Sequence, residues 1–314
     1  MLLMQRTRIL TLALSAVIAA ACRQTPSSPV ETDAAPPVAG STTTTAAKAT
    51  TGDLAYVCPM DPDIRSNDPG HCPRCGMALV AGIPDPKEFH LDLTVTPNPP
   101  QPGQPAELAF AVFDPWKNNP VKKFTAVHEK LFHAFIVSRD LQFFAHDHPQ
   151  WDDRDSFRLN VVLPKPGLYR ILGDFYPEAA TPQLLNQSLF VAGTEPPAVK
   201  LARDYSEKQA DNLRVAVSIA PSDPIAGVTT QIRFMLTPSD GIEKYLGAWG
   251  HMLIASDDLI DMIHTHPFLA DGSAEVQFKL IFPRARVYRM WVQFQRNGVI
   301  NTAHFDIPVK PAPR

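Results

Sequence analysis

Two groups of side chains in this chain have the types and spacing of metal ligands. The first lies in "YVCPMDPDIRSNDPGHCPRCGM", residues Tyr56 to Met77. Cys72 and Cys75 are separated by two residues, with Pro73 between them and Gly76 after. A tight turn of that composition aims two thiolates at one point. A four-coordinate site needs a second pair, and Cys58 with Asp61 has the same two-residue gap. Thiolates hold Zn(II) and Cu(I), so three cysteines need not pair with one another. A Cys72–Cys75 disulfide would leave Cys58, Met60 and Met77 without a role. A redox pair needs a strand-to-helix setting, which Pro73 and Gly76 oppose. A purely structural zinc site stays open, because a module of about 25 residues cannot build a core of its own.

The second group is histidines, and it occurs twice. "HAFIVSRDLQFFAHDHP" starts at His133 and "HMLIASDDLIDMIHTHP" at His251. His146 and His148 follow in the first stretch, His264 and His266 at matching offsets in the second. Each stretch reads as a hairpin turning at Arg139–Asp140 or Asp257–Asp258. That register puts His133 opposite His146 and His251 opposite His264, with Cβ atoms about 5 Å apart. His148 and His266, two residues on, fall on the same faces. Those faces are otherwise apolar: Phe135, Val137 and Phe144 in one, Leu253, Ala255, Ile260 and Met262 in the other. A lone histidine there would be a core residue bonded to backbone. Three at identical spacing, twice, favour chelation through His-x-His. Neutral imidazole is the ligand, so binding is expected to fail as pH falls through about 6.5. His128, Asp174 and His304 are further candidate ligands. Asp174 aligns with Gln293 and His128 falls near Leu246, so the copies need not be equivalent.

The elements that must position these groups are strands. "ELAFAVFDP", "QIRFMLTP" and "YRMWVQFQRNGVINTAHFDIPV" are strand-length runs bounded by turn residues. Asn297–Gly298 is a two-residue hairpin signal. Only "ARDYSEKQADN" has helical texture. The 32 prolines fit short strands and turns better than helices. "GLYRILGDF" matches "RVYRMWVQF", and Gly103 matches Gly227, at a period of about 120 residues, a domain length. The expected fold is mainly β: a zinc-ribbon-like module at 55–82, then two tandem immunoglobulin-like β-sandwiches at 88–195 and 208–310.

Upstream, "MLLMQRTR" carries Arg6 and Arg8, and thirteen uncharged residues end at Cys22. This is the pattern of a signal peptide over 1–21, too short to span a bilayer of about 30 Å. Cys22 at the cut is the expected lipidation site; ordinary cleavage would use the same bond. Residues 22–54 are rich in Thr, Ala, Pro and Ser and cannot bury a core. They are expected to form a disordered tether, spanning roughly 30 Å if flexible. The expected product is an exported, membrane-anchored lipoprotein facing the periplasm or cell exterior. A net charge of −3 leaves no footprint for nucleic acid.

The cysteine stretch resembles the small heavy-metal-binding domain, Y-x-C-P-M-H-P followed by P-G-x-C-P-x-C-G-M-x-L, found in copper and silver efflux proteins and heavy-metal ATPases. Cys58, Pro59, Met60, Cys72, Cys75, Gly76, Met77 and Leu79 match. The resemblance implies a soft-metal cargo: Cu(I), Ag(I) or Zn(II). The family's histidine is Asp61 here, a harder donor, and His71 beside Cys72 is the expected replacement imidazole. The rest of the chain resembles uncharacterised secreted proteins that follow such modules, which implies no activity. The expected function is therefore a non-enzymatic, envelope-anchored metal-binding protein for sequestration, chaperoning or resistance. Its expected partners are metal ions, a membrane reached through the lipid, and a metal efflux pump or transporter. Two alternatives stand behind it. A periplasmic component of an efflux system lacks the long heptad hairpin of an adaptor. A copper-dependent oxidoreductase lacks a loop cysteine after Cys75.

Overall fold

The computed structural model describes residues 56–60, 64–66, 68–81, 88–152, 154–178 and 180–313, and every regular element among them is a strand. Cys22, the expected signal and tether, and Asp61 lie outside the described residues. The "ARDYSEKQADN" segment is not a helix. Asp204 accepts a hydrogen bond from the Ser206 amide at 3.1 Å, and the chain then enters the strand Lys208–Gln209. An Asp that turns the backbone on itself competes with a helical first turn.

The first sandwich has one sheet of His90–Thr96, Pro105–Asp114, Ser156–Val162 and Gln150–Asp152 in that order, with Asn119–Pro120 added to Pro105–Asp114. Its other sheet runs Gln183–Val191, Gly167–Phe175, Phe132–Ser138, Phe144–Asp147. The second sandwich repeats the plan. Lys208–Gln209, Arg214–Ala220, Thr229–Thr237 and Glu275–Ile281 form one sheet; Val299–Pro308, Val287–Arg296, His251–Ser256 and Met262–Thr265 form the other, with Ile242–Glu243 added to Val287–Arg296. Leu108, Phe110, Phe132, Ile136, Phe157 and Ile171 fill the first core; Phe234, Ile254, Phe278 and Phe305 help fill the second. In both copies a buried tyrosine ties a corner. Tyr169 donates to the Lys165 carbonyl and Tyr288 to the Arg284 carbonyl, each at 3.0 Å. Asn297 and Gly298, at φ 47° and 73°, make the expected tight turn, with Arg296 paired to Val299.

Gly173 has side chains of both sheets of the first sandwich against it. A Cβ there would sit 2.7 Å from Phe132 and 2.9 Å from Leu91, both fully packed. Gly173→Ala should cost about 1–3 kcal/mol through overpacking, read as a lowered urea midpoint with unchanged slope. A midpoint within error of the parent would show that the core yields there.

The strands Phe132–Ser138 and His251–Ser256 are buried at every position. One face of each serves its own sandwich core. Alternation sends the other face to a third cluster of Phe135, Val137, Leu141, Leu172, Leu253, Ala255, Leu259 and Trp291. That cluster draws on both copies, so the two histidine-bearing sheets pack against each other. The contacts come in matched pairs. Phe144 stacks on Trp291 with centroids 5.1 Å apart. Arg170 Nε donates to the Leu259 carbonyl at 3.3 Å, and Arg289 Nη1 to the equivalent Leu141 carbonyl at 2.8 Å. The arrangement is a self-complementary interface built within one chain.

Candidate metal centres

The thiolate site forms on a three-stranded ribbon of Tyr56–Val57, Arg65–Ser66 and Val80–Ala81. The knuckle closes through Gly76 N–H to the Cys72 carbonyl at 2.8 Å and Cys72 N–H to the Met77 carbonyl at 2.7 Å. Gly76 takes φ 78°, which glycine adopts without strain. Cys58, Cys72 and Cys75 are buried, not disulfide-bonded, and have sulfurs within 4.8 Å of one another. Cys58 Sγ and Cys75 Sγ are 3.5 Å apart. Two thiolates on one tetrahedral ion at 2.3 Å stand about 3.8 Å apart, so little movement closes the site. A contact from Cys58 and burial push the Cys75 thiol up; burial does the same for Cys72. A cation is what would make thiolates stable in that place. Met77 is buried among the cysteines, and Met60 packs against them. His71 is exposed and falls outside the sulfur cluster. It borders the same cleft as Cys75 rather than completing the site.

The module sits on the sandwiches. Val127 and Tyr176 belong to its apolar cluster. A cleft of about 310 Å³ is lined by Cys75, Met77, Val127, His128 and Gly247 among others.

The histidines lie in the interface between the two sheets. Phe135, not His133, is opposite His146, and Leu253, not His251, is opposite His264. The expected register is off by two residues because each loop has four residues rather than two. Ser138 N–H bonds the Phe143 carbonyl at 3.2 Å, and Ser256 N–H the Asp261 carbonyl at 2.9 Å. Leu141 and Leu259 adopt φ 58° and 55° inside these loops. The Asp140 and Asp258 carboxylates accept from loop amides and hold the wider turn. A shift of two preserves the side-chain face, so all six histidines still point into the interface.

Two sets of three nitrogens result, each within 4.8 Å: His133 with His146 and His148, and His128 with His251 and His266. The first set is the expected trio. The second differs from expectation, since His264 gives its place to His128 from the other sandwich. His264 Nδ1 instead donates to Asp174 Oδ2 at 2.6 Å. His146 Nδ1 makes the matching bond to Gln293 Oε1 at 2.7 Å. So the aligned pair Asp174 and Gln293 act across the interface as hydrogen-bond partners of His264 and His146. His133 Nε2 donates to the Val127 carbonyl at 3.0 Å and His251 Nε2 to the Tyr245 carbonyl at 2.8 Å. His304 is exposed on the outer strand and takes no part.

Burial favours the neutral form of six of these imidazoles. His128 and His148 are pushed down to about 3, chiefly by burial. His133, His146, His251 and His266 move the same way for the same first reason. His128 could have been promoted from candidate to ligand on one signal. Runs apolar on both faces, "HAFIVS" and "HMLIAS", require a second packing partner, and the other copy offers a matching surface.

Residues 87–184 and 208–311 each match one family, described as Domain of unknown function (DUF8832), and residues 55–81 match the Heavy metal binding domain. Over 28 residues the chain is 64% identical to a copper-exporting P-type ATPase of Legionella pneumophila, which is 9% of this chain and 4% of that protein. The FdeC adhesin of Escherichia coli aligns over 74% of this chain and 68% of its own at 12% identity and a TM-score of 0.24. A two-domain fibronectin type III segment of chicken tenascin aligns over 69% and 97% at 11% identity and a TM-score of 0.21. Both scores are low, and the sandwich assignment rests on the sheet topology above.

Proposed function

We propose, for a chain that belongs to the DUF8832 family of domains of unknown function and carries a heavy metal binding domain ahead of it, that it is an exported heavy-metal-binding protein. It holds soft ions as cargo rather than turning over a substrate. One observation carries the reading: Cys58, Cys72 and Cys75 converge, buried, within 4.8 Å inside the matched domain. The interface histidines supply a second, harder-donor store suited to the same class of ion. Lipidation at Cys22 and the Thr-rich tether would keep the store at the envelope surface, for sequestration or hand-over. The likeness of the module to part of an exporting ATPase supports a pump as the receiving party.

The test is Cu(I) titration of the whole mature protein against a chromophoric chelator, with and without Cys72→Ser plus Cys75→Ser. The parent should bind one ion more than the double variant, and the sulfur-to-copper charge-transfer absorption should vanish with the substitutions. Equal stoichiometry and equal spectra would remove the module from the protein's chemistry.

A further inference from the structure

We propose that the seven interface histidines form one centre that holds two monovalent copper-group ions, one in each trio, assembled from both sandwiches. This rests on the reading of the protein as a metal store and specifies its second site.

A neutral imidazole has one N–H and one lone pair. Val127, Gln293, Tyr245 and Asp174 accept the N–H groups of His133, His146, His251 and His264. The second nitrogen of each therefore presents a lone pair to the interior. In the first trio His133 Nδ1 and His146 Nε2 face each other at 3.2 Å, two acceptors with no proton between them. In the second, His251 Nδ1 meets His266 Nε2 at 3.0 Å. His128 Nε2, His148 Nε2, His264 Nε2 and His266 Nδ1 have no hydrogen-bond partner although buried. With Asp174 Oδ1, they are five of the six such atoms among the described residues, all in this cluster. Buried polar atoms are ordinarily paired, and outer partners that fix imidazole tautomers are what metal ligands have.

The donors make two sites rather than one. Nitrogens on a single ion at about 2.1 Å can be no more than about 4.2 Å apart. Each trio is near that limit by itself. Ring centroids are 4.8 to 5.4 Å apart within the first trio and 3.9 to 5.2 Å within the second, against 5.5 Å for His146 and His251 and 6.3 Å for His133 and His251 between them. His264 lies beside the second trio, 4.5 Å from His266. It falls outside the set whose nitrogens lie within 4.8 Å, and it borders that ion rather than completing its ligands.

Charge then selects the ion class. All donors are neutral, the surroundings are apolar, and Asp174 is the carboxylate bonded to the cluster. Two dications this close would repel strongly in a poorly screened site without an anion between them. Two Cu(I) ions bring half the charge.

The experiment uses the whole mature protein with Cys58, Cys72 and Cys75 changed to Ser, so that only imidazole sites remain, titrated anaerobically with Cu(I) and separately with Zn(II). The expected result is two Cu(I) but one Zn(II) per chain. His128→Leu and His148→Leu should each remove one Cu(I). His128→Leu is tolerable because Leu246 holds the equivalent position at φ 48°, against 47° for His128. His128→Asn, which also adopts that backbone, serves as a second variant, and metal-free melting curves establish folding for each. A single Cu(I), abolished by either substitution, would overturn the two-ion centre while leaving a metal-binding protein. Two Zn(II) ions would overturn the charge argument and with it the assigned ion class. No ion in this variant, with the thiolate site still loading in the parent, would make the histidines structural. No ion in either protein would instead sink the proposed function itself.

Discussion

Arg289→Met is expected to cost about 3–5 kcal/mol of folding stability, because it strands a buried carboxylate. Arg289 and Asp306 are 7% and 6% exposed, and form a two-pronged pair at 2.7 and 2.8 Å. The third nitrogen reaches across the interface to the Leu141 carbonyl at 2.8 Å. Removing the guanidinium therefore leaves Asp306 unpaired and an orphaned carbonyl in the other sandwich. Arg289→Met combined with Asp306→Leu should recover most of the loss, since no charge is then left behind. The equivalent Arg170 bonds Ser188 at 2.7 Å in an exposed setting, and Arg170→Met should cost no more than about 1 kcal/mol. Guanidinium chloride unfolding of the four proteins reads all of this. Equal losses at positions 170 and 289 would mean that the pair does not anchor the interface.

The second large effect is on pH. Six interface histidines have folded values below the ordinary 6.5, with His128 and His148 at about 3. Folding therefore expels protons, and the unfolded chain binds more of them in acid. The stability these groups permit is fully present above about 6.5 and is lost as pH falls from there toward their folded values near 3. The slope is about 1.4 kcal/mol per pH unit for each histidine protonated only on unfolding. The metal-free protein should thus lose melting temperature steadily between pH 7 and pH 5, and Cu(I) should offset the loss. This replaces the simpler expectation that binding collapses at 6.5. In the folded chain the proton is a poor competitor until the fold itself fails. Binding heats that persist at pH 5.5 in folded protein would agree. A metal-free melting temperature that is flat from pH 7 to pH 5 would contradict the account.

Short-range geometry was legible in the chain. Cys72, Pro73, Cys75 and Gly76 specify a knuckle by local backbone preference, and the structure brings Cys58 to it. Asn297–Gly298 specifies its turn because both residues tolerate positive φ. The period-two pattern placed His133, His146 and His148 on one face, and that survived a register shift of two because parity is all a face needs. The shift itself was not legible. It depends on Asp140 and Asp258 accepting loop amides and on Leu141 and Leu259 entering a backbone region leucine seldom uses. Least legible was the composition of the second trio. Matched spacing assigned His264 to it, but packing of the two apolar faces brought Asp174 to His264 and delivered His128 from the other sandwich. Local rules determine what a strand presents. What meets it is decided by the shape and apolar area of the opposing face, here contributed by residues about a hundred positions away.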